Sequence, residues 1–83
     1  MFNKNESEML ARLGLQIKRM REGAGMTPAE LAGKLRVSKE VISRIEKGQQ
    51  DILLDMLVDI AQIFGRRLKF RLVNRRQRYE KKK

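Results

Sequence analysis

Lys39, Glu40, Ser43 and Arg44 stand close together in the stretch VSKEVISRIEKG and carry an ammonium, a carboxylate, a hydroxyl and a guanidinium. Such a set suits recognition better than bond breaking. An arginine fork meets guanine O6 and N7 in a bidentate contact, lysine reads guanine or holds a phosphate, and glutamate accepts from a cytosine amino group. Serine serves either role. Glu40 has a second reading, as a partner that pairs with Lys39, Arg36 or Arg44 and orients them. The chain contains no cysteine and no histidine, which excludes disulfides, thiolate chemistry and the usual zinc sets. With no clustered carboxylates either, neither catalysis nor a cofactor nor a metal is expected.

Two short helices joined by a tight turn must position these groups. Thr27 stands three residues before Glu30 and directly before Pro28, a capping box with proline where its missing N–H costs nothing. Leu31, Ala32 and Leu35 then form an apolar face, the run stops at Arg36-Val37, and Ser38 caps the next helix. Val37, Ile42 and Ile45 point inward on that helix, and the four polar side chains fall on its opposite side. Gly48 stands where a left-handed C-terminal cap belongs. Helix one is expected over about 7–22, with Leu10, Leu13, Ile17 and Met20 on one side and Asn5 or Ser7 as cap. A fourth helix is expected from near Leu53, with Leu54, Leu57, Ile60, Ala61 and Phe64 inward, Asp51 as the nearest capping side chain and Gly65 as its end.

The charge agrees with that arrangement. Twenty Lys and Arg against 10 Asp and Glu give a formal +10, a balance that favours a polyanion, with double-stranded DNA first among the candidates. Eighty-three residues make one small domain with a marginal core, for which dimerisation supplies further burial. The polar N-terminus and the absence of a long apolar run point to the cytoplasm, with no membrane partner.

From Leu13 to about Gly65 the sequence resembles the Xre/Cro-type, lambda-repressor-like helix-turn-helix family of phage repressors, bacterial regulators and antitoxins. Leu13, Gly14, Ile17, Met20 and Arg21 match its first helix, Gly25-Met26-Thr27 and Glu30-Leu31-Ala32 follow in register, and VSKEVISRIEKG matches its recognition-helix block. The resemblance implies an all-α bundle of four helices and a sequence-specific DNA-binding regulator, most simply a repressor, in a bacterium, archaeon or phage-infected cell. It implies that Lys39, Glu40, Ser43 and Arg44 read bases. It also implies a partly buried ion pair between Arg21 and Glu46 that ties helix one to the recognition helix. Helix N-termini attract phosphates, which gives that role to Thr27 and Ser38, with Gln49 and Gln50 in the following loop. Two departures from the family stand out. Pro28 replaces a glutamine that several phage repressors use to touch phosphate, and Arg36 occupies a turn position where many relatives have glycine. Arg36 either takes a left-handed geometry, contacts a DNA phosphate, or is a plain exposed turn residue.

In the segment after Gly65, Leu68, Phe70 and Leu72 alternate with Lys69, Arg71 and Val73, the period of a half-buried β-strand. A lone strand leaves its backbone groups unpaired, and the same strand of a second copy would pair with it. Here the layout is similar to the HipB/HigA-type antitoxins, in which a C-terminal strand builds a two-stranded sheet across a dimer axis. The other reading is that this segment extends helix four or packs alone. The expected division is therefore a helix-turn-helix domain over 1–65, a dimerisation strand over 66–74 carrying Leu68, Phe70 and Leu72, and a basic tail over 75–83. That tail is either a solubilising end or a phosphate-binding or partner-binding arm. Asp51, Asp55 and Asp59 form an acidic stripe, either solvated or facing Arg66, Arg67 or tail cations across a dimer, or a basic partner such as a toxin. The alternative function is an antitoxin that represses its own operon and binds a toxin protein.

Overall fold

The computed structural model describes residues 3–72. Among them four α-helices follow in order: α1 (Lys4–Gly23), α2 (Pro28–Leu35), α3 (Lys39–Glu46) and α4 (Leu54–Ile63). None of these helices is long and apolar enough to cross a membrane.

Local hydrogen bonds fix where each helix begins. Thr27 Oγ1 accepts from the Glu30 amide at 3.1 Å and Glu30 Oε1 accepts from the Thr27 amide at 2.8 Å, so α2 opens on the capping box its sequence announces. Ser38 Oγ accepts from the Val41 amide at 3.2 Å and starts α3. At the start of α1 the expectation is corrected. Its cap is Asn3, not Asn5 or Ser7: Asn3 Oδ1 accepts from the Glu6 amide at 2.8 Å, and Glu6 Oε1 accepts from the Asn3 amide at 3.1 Å. Reciprocal capping of this kind satisfies two otherwise orphaned donors and carries the helix a turn further back.

Turns between the helices use the left-handed region. Gly25 and Gly48 adopt φ of 68° and 71°, and Arg36 adopts 60° without being glycine. At Arg36 the chain closes α2 by two bonds, Arg36 N–H to the Gly33 carbonyl at 3.3 Å and Val37 N–H to the Ala32 carbonyl at 3.0 Å.

α1, α2 and α3 meet around Ile17, Leu31, Ala32, Ile42 and Ile45, and α4 adds Ile60. Five of these side chains (Ile17, Leu31, Ile42, Ile45 and Ile60) are fully buried, each contributing about 1.5–3 kcal/mol. A core of this size leaves a narrow margin of stability, so single buried contacts matter.

α4 differs from its expectation in two respects. Leu53 is its N-cap and makes no side-chain cap bond. Asp51 instead accepts from the adjacent Ile52 amide at 3.0 Å, within the loop. Leu54, expected to face inward, is 59% exposed. The helix turns Ile60 to the core, and Leu54, six residues earlier, lies about 120° around the helix from it. Gly65 at φ 66° then ends α4, and the Arg66 amide donates to the Ala61 carbonyl at 2.8 Å.

The expected strand is not formed in this chain: among the described residues no strand is present, and 66–72 run without regular structure. A strand needs a ladder partner, and a single chain offers none here. Leu68 is half-buried, whereas Phe70 and Leu72 are exposed. The remainder of that segment and the basic tail lie outside the described residues.

Candidate nucleic-acid interface

α3 has two unlike faces. Ile42 and Ile45 are 0% and 1% exposed against the core, while Lys39, Glu40 and Arg44 are exposed and Ser43 is half-buried between them. Lys47 caps the C-terminus and is exposed too. At i, i+4, i+8 it extends the row from Lys39 through Ser43, a signal the sequence carried without its being singled out. Glu40 forms no ion pair with Lys39, Arg36 or Arg44 among the described residues, which leaves its carboxylate free to accept.

The helix is anchored from behind by Arg21. Its Nε donates to Glu46 Oε2 at 2.6 Å, its NH2 to Glu46 Oε1 at 3.0 Å and its NH1 to the Met26 carbonyl at 2.8 Å. The two charged side chains are only 9% and 8% exposed. Fork geometry of this kind matches a carboxylate with both edges engaged. The hydrogen bond to Glu46 holds the Arg21 guanidinium above its ordinary value, outweighing burial, which acts in the opposite direction; the charges of Glu46 and Glu22 add to the rise. Through the Met26 carbonyl the same arginine also fixes the turn that leads into α2. That third bond has no signature in the sequence.

Gly14 brings α1 against the end of α3. A Cβ there would overlap the Ile45 carbonyl oxygen and lie 2.8 Å from the Glu46 carbonyl oxygen. Gly48 does the same from the other side, since a Cβ on it would lie 2.8 Å from Ala11 Cα. α3 and the loop that leaves it are therefore both seated on α1.

The remaining sequence-selected residues surround α3. Thr27 and Ser38 are exposed at the N-termini of α2 and α3; their hydroxyl oxygens accept the capping bonds, and each hydroxyl hydrogen is left to donate. The Glu30 carboxylate occupies the Thr27 amide, which removes one free donor from the α2 terminus. Arg36 is exposed in its left-handed turn. Gln49 is exposed and Gln50 half-buried. Gln50 Oε1 accepts from Arg44 Nε at 2.8 Å, a contact the sequence reading missed because it spans the turn at Gly48. Asp51, Asp55 and Asp59 are exposed with no ion pair among the described residues.

Comparison with known proteins agrees with this geometry. The helix-turn-helix family model matches residues 17–70. Nine solved chains match, among them two crystal structures of the clp gene regulator ClgR from Corynebacterium glutamicum. Both are 28% identical to this chain, with TM-scores of 0.67 and 0.66, and the matches cover 70% and 69% of this chain. They span 74% and 61% of the ClgR chains. No curated protein gives a match. A family match over more than half the chain, from the last turns of α1 through α4, means that it belongs to the Xre, lambda-repressor-like helix-turn-helix family.

Proposed function

We propose that this chain is a sequence-specific DNA-binding transcription regulator, most simply a repressor, that reads a palindromic operator as a homodimer through residues 38–47. The observation that carries this reading is the outward face of α3: Lys39, Glu40, Ser43 and Arg44 stand on a helix whose back is held by a buried ion pair. Rigid backing keeps donors and acceptors in register with base edges. Arg44 reads guanine, Lys39 guanine or phosphate, Glu40 a cytosine amino group, and Ser43 either. Thr27, Arg36, Ser38, Gln49 and Gln50 hold the backbone and set the register. The likeness to a gene regulator supports the same direction. No cofactor is needed, and the work lies in the cytoplasm of a bacterium, archaeon or phage-infected cell.

The homodimer rests on residues 66–74, with Leu68, Phe70 and Leu72 pairing to the same segment of a second copy. Phe70 and Leu72 at 73% and 96% exposed support it, because apolar side chains on an open backbone edge are unstable in water. Two recognition helices would then sit about 34 Å apart, one turn of duplex. The same apolar segment favours a second reading, an antitoxin that represses its own operon and binds a toxin protein there; this is the layout of HipB/HigA-type regulators.

Selection of bound duplexes from a random pool, with light scattering on the same sample, tests the proposal. A palindromic winner and a dimer mass are expected. Arg44→Ala should then lose preference at one base position, worth about 1–3 kcal/mol, while the other positions hold. Sequence-blind binding by the intact protein would overturn operator reading, and a monomer would overturn the paired segment. Co-purification with the product of an adjacent reading frame would mark the antitoxin.

A further inference from the structure

We infer that Gln50 is a positioning residue for specificity: it braces Arg44 so that the two terminal nitrogens of the guanidinium, not its Nε edge, face the base. The inference rests on the operator-reading function proposed above and goes beyond it: while Gln50 Oε1 holds Arg44, its Nε2 is left to donate to the phosphate proposed for it there. Gln50 Oε1 accepts from Arg44 Nε at 2.8 Å. Arginine only donates, so the amide must present its oxygen to it. One bond at Nε fixes the plane of the whole group, because the guanidinium is flat and delocalised. The NH1 and NH2 donors remain for an end-on bidentate contact with guanine O6 and N7.

The brace is itself held. Gly48, at φ 71°, turns the chain back on the helix, and the Gln49 amide donates to the Arg44 carbonyl at 2.8 Å. Gly48 lies so close to α1 that a Cβ would come within 2.8 Å of Ala11 Cα. Gln50 is half-buried. Arg44 is thus linked to α1 through the loop that follows its own helix, and an exposed, many-jointed side chain is partly ordered before DNA arrives. Ordering in advance removes part of the entropy lost on binding.

The test uses the full chain with five proteins: wild type, Gln50→Met, Gln50→Glu, Arg44→Ala and the double variant Gln50→Met with Arg44→Ala. Affinities are measured for the selected operator and for duplexes changed at each position. Methionine keeps length and flexibility but removes the acceptor, whereas glutamate retains it. Gln50→Met is expected to lower preference at the Arg44-dependent base by roughly three- to tenfold, less than Arg44→Ala itself. It should have no further effect on that preference when added to Arg44→Ala. Gln50→Glu should keep the preference at that base while weakening binding to all duplexes alike, because a carboxylate accepts from Arg44 but repels phosphate. In the free protein the Arg44 Nε–H resonance should shift and exchange faster in Gln50→Met, with an unchanged melting temperature.

If Arg44→Ala alters one base preference and Gln50→Met weakens all duplexes equally with no loss of that preference, Gln50 is a phosphate anchor only and the brace is wrong. If Arg44→Ala alters none while the wild type still prefers one duplex, base reading by Arg44 fails and the brace falls with it. A wild type with no preference at all overturns operator reading as well.

Discussion

The seam between α1 and α3 and the outer end of α4 reach opposite states. At the seam the buried charges are paired: Arg21 spends three donors on Glu46 and the Met26 carbonyl, and Gly14 lets two backbones touch. Around α4 the helix begins without a side-chain cap, and Leu53, Leu54 and Val58 are exposed, as are Phe70 and Leu72 further on. One region is complete within a single chain. The other leaves apolar surface and open backbone, which is where a second molecule has most to gain. The proposed function accounts for the contrast. A recognition helix has to keep one orientation whether or not DNA is bound, while the dimer interface proposed for the second region is finished only by its partner.

Breaking the seam should cost most. Arg21→Ala leaves the Glu46 carboxylate buried without its partner, and a loss of about 3–5 kcal/mol is expected from the midpoint of urea unfolding. An equal loss of operator preference in a variant that remains folded would show instead that Arg21 acts on specificity directly. Gly14→Ala comes next. The added methyl must push α1 away from the Ile45 and Glu46 carbonyls, at about 1–3 kcal/mol in the same measurement.

At the other region the expected changes in monomer stability are small and the changes in assembly large. Phe70→Ser with Leu72→Ser should give a monomer in light scattering and weaken operator binding, with monomer stability within about 0.5 kcal/mol of wild type. A dimer that survives both changes would move the interface elsewhere. Leu53→Ser supplies the cap α4 lacks and should stabilise the chain by about 0.5–1 kcal/mol at concentrations where it is monomeric. Smallest is Arg36→Gly. Relief of the left-handed φ exceeds the extra entropy of an unfolded glycine by roughly 0.5 kcal/mol, read as a modest rise in melting temperature.

How far the sequence reached depended on distance along the chain. Thr27, Pro28 and Glu30, and likewise Ser38, specify the starts of α2 and α3 because a cap closes within three residues. The Asn3 box obeys the same rule and was legible in principle, but asparagine at the first position falls outside the usual Ser/Thr form. Periodicity separated Ile42 and Ile45 from Lys39 and Arg44, since both faces belong to one helix. Net charge and the lack of cysteine and histidine also follow from the residues alone.

Packing decided the rest. Leu54 and Ile60 are both apolar, and only the placement of α4 against α2 selects Ile60 for the core and leaves Leu54 in water. That Gln50 meets Arg44 depends on a turn of three residues and on how Gly48 sits against α1. The demand for glycine at position 14 comes from a helix more than thirty residues away. Local hydrogen bonds and helical period are written into neighbouring residues, whereas the orientation of one element on another is set by the sum of many weak contacts that no short window contains.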